Sequence, residues 1–213
     1  MNRPLALAML CTISAAGAAA DLHAVVRDEK GQPVAEAVVV ATPEGTPARP
    51  ARTKLEQVEQ IDHEFVPRVK AVLVGSAVSF PNRDKVRHHV YSFSSAKRFD
   101  LPLYVGTPAK PVLFDTPGVV TIGCNIHDWM VGYIYVSDSP YFATTGADGQ
   151  ATLAGLPAGR YSVRVWHPQL ATTEAATRRD AELQTGTELA WQLALKPEVR
   201  IRRTPAQGRR GPY

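Results

Sequence analysis

The feature that most constrains this chain is its punctuation. From residue 22 to residue 195, short runs of β-branched and aromatic residues recur, each closed by glycine, proline, asparagine or aspartate, and convincing long amphipathic helices are scarce. Strands are expected at Leu22–Arg27, Ala37–Ala41, Val69–Val74, Ala77–Phe80, His89–Ser94, Leu101–Val105, Val119–Gly123, Val131–Val136, Ala151–Leu153, Tyr161–Trp166 and Glu188–Leu195. Turns are expected at Asp28–Pro33, Asp148-Gly149 and Leu156–Gly159, and a Pro/Gly/Thr-rich linker at Thr42–Arg52. So many short strands imply an all-β chain built from one or two sandwiches.

The N-terminus reads as a secretory leader. A positive start, Met1-Asn2-Arg3, precedes an apolar run from Pro4 to Ala16, and Ala18-Ala19-Ala20 offers a small-x-small cleavage site before Asp21. The run is short for a membrane span. Residues 1–20 are therefore expected to be a signal peptide, and the mature chain an exported, periplasmic one with no membrane span. Its removal takes Cys11 and leaves Cys124 as the one cysteine. It also takes Arg3, so the formal charge of +4 becomes +3. Residues 198–213 carry five arginines against Glu198, which leaves the rest of the mature chain at −1. The basic balance belongs to a solvated tail rather than to a basic face, and a nucleic-acid function loses its main support.

The two ends of the chain share a grammar. Ala24–Asp28 with Gly31-Gln32-Pro33-Val34 and Ala37-Val38-Val39 resembles the opening of a carboxypeptidase-regulatory-like, transthyretin-like β-sandwich. Asp148–Leu153 with Leu156–Val163 resembles its later hairpins. On this resemblance residues 21–52 and 141–197 form one discontinuous sandwich, interrupted by an inserted unit at residues 55–138.

That inserted stretch holds the residues with the most chemistry. Cys124-Asn125-Ile126-His127-Asp128-Trp129-Met130 places a thiol, an imidazole and a thioether within seven residues, between two expected strands. Upstream stands His88-His89. Adjacent strand residues point to opposite faces, so one of the pair should reach a shared centre. Periodicity does not choose, since Val90/Ser92 and Tyr91/Phe93 can each face inward. His23, His63 and His167 stand singly and are expected to be surface or structurally satisfied histidines. Trp129 either shields the centre or plugs the end of the sandwich.

Residues 65–136 resemble the cupredoxin family, of the amicyanin type in loop spacing and of the kind found in methylamine utilisation. Phe65-Val66-Pro67, Gly75 and Val78–Asn82 match the entry strands. The Asn82-to-His88 interval, Thr116–Val120 leading into Cys124, and Val131–Val136 match later parts of the pattern. The resemblance implies an all-β fold: a cupredoxin Greek-key β-sandwich plus a second small β-sandwich formed by the N- and C-terminal segments. It also implies one copper ion, cycling between Cu(I) and Cu(II), held by His88, Cys124, His127 and an axial Met130. A thiolate, two imidazoles and a weak thioether suit such a centre, because soft sulfur favours Cu(I) while imidazole accepts both states. Two departures stand out. His89 takes the place of a bracing asparagine, and Ile126 takes that of a proline, which restores an N–H expected to donate to the Cys124 sulfur.

The chain lacks the further histidines of a second copper site, and no nucleophile elbow or phosphate loop is present. The expectation is a non-enzymatic, periplasmic electron carrier whose partner is a dehydrogenase or cytochrome. The alternatives are a copper-binding or delivery protein and a partner-binding module without redox turnover.

Overall fold

A computed structural model describes residues 19–45, 54–108 and 110–197. The first segment forms β1 (Ala19–Asp28) and β2 (Val38–Pro43). Next come β3 (Leu55–Gln57), β4 (Glu59–Ile61), β5 (Glu64–Val66), β6 (Val69–Leu73), β7 (Ser76–Ser79), β8 (His88–Ser94) and β9 (Lys97–Tyr104). β10 (Val112–Phe114), β11 (Gly118–Cys124) and β12 (His127–Ser137) complete the middle of the chain. The closing stretch contributes β13 (Tyr141–Thr144), β14 (Gln150–Pro157), β15 (Gly159–Trp166), a 3₁₀ turn at Glu174–Thr177, β16 (Arg179–Leu183) and β17 (Thr187–Leu193). Among the described residues there is no α-helix, and no helix long and apolar enough to cross a membrane.

The first and last strands share two sheets, β14-β1-β17 and β13-β2-β15-β16. Strict alternation builds the core between them. Ala20, Leu22, Ala24 and Val26 of β1 are buried, and so are Tyr161, Val163 and Val165 of β15. β2 pairs with both β13 and β15. It is buried on both faces, which is why its valines run without alternation. Val39 and Ala41 enter this core, while Val38 and Val40 pack outward with Val69 and Tyr135 of the middle strands.

The middle strands form the sheets β6-β12-β11-β8-β9 and β10-β7-β3, with β4-β5 as a separate hairpin. Phe80, Phe114, Ile122 and Ile134 fill the space between them. On β11 the buried residues are Val120, Ile122 and Cys124, so the alternation that points the aliphatic side chains inward carries the thiol in with them. Polar contacts reinforce the junction of the two assemblies. Arg68 pairs with Glu36 at 2.9 Å across it and Arg164 with Asp138, while Arg164 also holds Glu174 of its own assembly at 2.7 Å. The Tyr135 hydroxyl donates to Glu174; burial, and then that carboxylate, push its pKa far up.

Several short strands were not legible in the sequence: β3, β4, β5, β10, β13 and β16 are three to five residues long, too short to show a period, and β3, β4 and β16 are mostly polar. The expected linker begins later than Thr42, because Thr42 and Pro43 extend β2. In the expected turn Leu156–Gly159, only Ala158 lies outside the flanking strands. Ala19 and Ala20 belong to β1, while the rest of the expected leader, with Cys11, and the tail at residues 198–213 lie outside the described residues.

Tyr104, opposite His88 in the β8–β9 ladder, supplies a pH-dependent tie. Its hydroxyl donates to the Phe80 carbonyl at 2.5 Å and accepts from Gln60 Nε2 at 2.6 Å. Burial pushes its pKa up to about 12, against the lowering effect of the Gln60 bond. A phenol whose folded pKa is raised stabilises the fold fully below its ordinary value of about 10, and that stability is lost as pH rises towards the folded value. The unfolding midpoint of the metal-free protein should therefore fall between pH 10 and 12, and Tyr104→Phe should reduce that fall. A wild-type and a variant profile of identical slope would contradict it.

Candidate metal centre

The centre is built at one end of the middle sheets, from two strand ends and two loops. β11 and β12 meet through the two-residue turn Asn125-Ile126, with Cys124 opposite His127 and a register shift after Gly123. The ladder therefore brings the thiol and the imidazole together at its closed end. Cys124 Sγ and His127 Nδ1 are 3.7 Å apart. His88 opens β8 next to β11, and its ligand atom lies within 4.8 Å of those of Cys124 and His127. Cys124 and His88 are buried and His127 is half-buried.

The loop before His88 is tied down by Asn82. Its side-chain amide donates to the carbonyls of Val86 and Tyr104, both at 2.8 Å, and its oxygen accepts the N–H of Asp84. The structure separates the two adjacent histidines. His88 shares its parity with Val90 and Ser92, which are buried, whereas Tyr91 is half-buried and Phe93 is 76% exposed. The His89 ring pairs through Nε2 with Asp100 at 2.6 Å, on a carboxylate that is largely exposed, and tilts against Tyr91.

The Cys124 sulfur has a backbone partner, though a different one from that expected. His89 N–H reaches Sγ at 3.5 Å, while Ile126 stands 49% exposed at the turn. β8 lies alongside β11, so its backbone can meet the sulfur across the sheet. Met130 is buried in the same core cluster as Cys124. Trp129 packs partly buried on that cluster, its ring 5.2 Å from that of His127.

Two residues join the site that sequence reasoning did not single out. His63, expected to be a surface or structurally satisfied histidine, sets its ring nearly perpendicular to those of His88 and His127, with centres 5.3 and 4.8 Å away. Asp84 sits behind His88, Oδ2 to Nε2 at 2.7 Å. Burial alone would raise the Asp84 pKa. The backbone N–H of His63, the His88 ring and the backbone N–H of Asp62 outweigh it and hold the carboxyl below its ordinary value. Asp84 lay within the Asn82–His88 interval and was open to suspicion; nothing in the sequence around His63 marked it. His23 meets Thr152 at an exposed position, and His167, which is buried, accepts from the Gln169 backbone, both far from this cluster in the chain.

The donor set fits copper on the structure's own terms. Nδ1 of His88 is buried and has no hydrogen-bond partner, while Nε2 is engaged. A thiol and two imidazoles with ligand atoms within 4.8 Å of one another are what a borderline, sulfur-tolerant metal ion requires.

The structure is similar to a purple cupredoxin from Nitrosopumilus maritimus, at 24% identity over 38% of this chain and 99% of that one, with a TM-score of 0.35. It is also similar to an oxidised proline-to-alanine variant of amicyanin, at 21% identity over 39% of this chain and 82% of that one, with a TM-score of 0.36. A copper-containing nitrite reductase from Thermus scotoductus SA-01 matches at 25% identity over 54% of this chain but only 28% of its own, with a TM-score of 0.37. No family model and no curated protein matches the sequence. These likenesses cover between 38% and 54% of this chain, whose described residues form several β-sheets.

Proposed function

We propose that this protein is a periplasmic single-electron carrier with one copper ion held by His88, Cys124, His127 and an axial Met130. The observation that carries the reading is the meeting of a buried thiol with two imidazoles, one of which has a buried, unpartnered Nδ1. When bound, the copper supplies a one-electron couple between Cu(I) and Cu(II). The protein's part is to hold the donors still. The Asn125-Ile126 turn fixes Cys124 against His127, and Asn82 fixes the loop that presents His88. Sulfur and imidazole donors held in one arrangement limit the rearrangement that either oxidation state asks for. The His89 N–H stabilises negative charge on the sulfur. His127 is the half-buried member of the cluster, which makes it the route to a redox partner such as a dehydrogenase or cytochrome. The copper-bearing unit is residues 55–138, set into a frame made by residues 21–52 and 141–197.

Two measurements test this. A redox titration of the copper-loaded protein should give one reversible one-electron wave. Ready loss of Cu(I) to a chelator, with no stable Cu(II) form, would favour copper delivery instead. Substituting the two histidines separately tests the ligand set. His88→Ala should lower Cu(II) affinity by about 100-fold or more, whereas His89→Ala, which keeps the backbone N–H on the sulfur, should leave the visible spectrum close to wild type. The reverse result would make His89 the ligand.

A further inference from the structure

Asp84 is engaged on both of its oxygens. Oδ1 accepts the backbone N–H of Asp62 at 2.8 Å, and Oδ2 accepts that of His63 at 2.9 Å. Oδ2 also lies 2.7 Å from His88 Nε2. A carboxylate offers only acceptor sites, so the nitrogen facing it must carry the proton, and the lone pair of His88 is left on Nδ1. The ring itself is fully buried, so no solvent competes for either nitrogen. On the other side, Asp62 and His63 form the two-residue turn between β4 and β5, with φ of 52° and 61°. Left-handed backbone at two consecutive non-glycine residues is costly, and asparagine-glycine is the usual occupant of such a turn. Here both turn N–H groups close on Asp84, and the turn carries the His63 ring against those of His88 and His127, nearly perpendicular to each.

We propose that Asp84 is the positioning residue of the metal centre, fixing His88 in the tautomer that leaves Nδ1 free as a donor and anchoring the Asp62–His63 turn against both imidazoles. The inference rests on the copper reading above for the purpose of that donor. A carboxylate behind a ligating histidine sets the ring's orientation and makes it a stronger donor, and such partners are worth about 10–100-fold in metal affinity. The extra electron density favours Cu(II), so the pair holds the reduction potential down.

Two measurements on the full chain, wild type against Asp84→Asn and Asp84→Ala, test it. Nitrogen-resolved NMR of the metal-free protein reads the His88 tautomer without any copper. Wild type and Asp84→Asn should show Nε2–H alone, since the amide oxygen can still accept from the ring; Asp84→Ala should show a mixture. On Cu(II) loading, Asp84→Ala should bind about 10–100-fold more weakly, and Asp84→Asn should keep its colour with a raised reduction potential. An unchanged His88 tautomer in Asp84→Ala, or an unchanged potential in Asp84→Asn, would overturn the proposal. A wild-type protein without a thiolate–Cu(II) band would sink the copper reading, while the tautomer comparison would still decide whether Asp84 positions His88.

Discussion

Replacing Cys124 by serine should abolish the intense visible absorption expected of the Cu(II)-loaded protein, with a loss of at least about tenfold in the band. The absorption arises from charge transfer between a thiolate and Cu(II), and Cys124 is the only cysteine among the described residues. Serine keeps the size of the side chain and can still accept the His89 N–H, but its oxygen is hard and a poor donor to Cu(I). Some Cu(II) should remain on the two imidazoles, more weakly held and nearly colourless, and any remaining couple should move to lower potential. The fold should survive. Cys124 is 3% exposed, and burying a hydroxyl in its place costs about 1–3 kcal/mol. Absorption and thermal melts on the same sample separate the two effects. A Cys124→Ser protein that kept the band would remove the sulfur from the centre.

The largest effect on stability should come from Gly149→Ala, far from the metal centre. Gly149 has φ of +74°, where a side chain is strained, and its missing Cβ would stand 2.5 Å from the Val26 carbonyl oxygen and 2.9 Å from the Val34 nitrogen. These neighbours are backbone and cannot swing aside. Val26 also donates its N–H to the Gly149 carbonyl at 2.8 Å, so relief of the clash would open the bond that ties the Asp148-Gly149 turn to β1. Strain and overpacking each cost about 1–3 kcal/mol, which lowers the unfolding midpoint of a chain this size by roughly 10 °C. Gly155→Ala makes the control: its φ is +70°, but nothing lies within 4 Å, so only the strain remains. Equal melting points for the two variants would show that the close approach of backbone at Gly149 is not what the turn needs. The folded fraction of Gly149→Ala should bind copper normally, because its neighbours belong to the core made by β1 and the late strands and not to the cluster around Cys124.

One periodicity, legible in the sequence, placed both the aliphatic core and the thiol. The run Val119–Gly123 alternates on a strand, and the same alternation that buries Val120 and Ile122 buries Cys124. The two-residue interval between Cys124 and His127 then becomes a tight turn, which needs nothing distant. Which of His88 and His89 meets Cys124 and His127 was not a local matter. The His88 ligand atom lies within 4.8 Å of theirs while the His89 ring pairs with Asp100, and the pairing shifts register between His88 and Val90. His63 was out of reach for a further reason. β4 and β5 are three residues each, their turn is Asp-His rather than a glycine pair, and it is held by Asp84, 21 or 22 residues away in the chain. The same holds for the sulfur's N–H partner, which comes from His89, 35 residues upstream, rather than from the neighbouring turn. Contacts made across strands distant in the chain leave no period to read.

The central claim is that His88, Cys124 and His127 hold one copper ion with the thiolate bound to it. Paramagnetic resonance of the full-length protein loaded with one equivalent of Cu(II), recorded with its visible spectrum, tests that claim most directly. The account predicts an intense thiolate-to-copper band together with copper hyperfine splitting narrower than that of Cu(II) bound by nitrogen and oxygen alone, because the unpaired spin is shared with the Cys124 sulfur. A weak band with wide splitting would mean that the copper sits on nitrogen and oxygen donors with the sulfur unbound, and would contradict it.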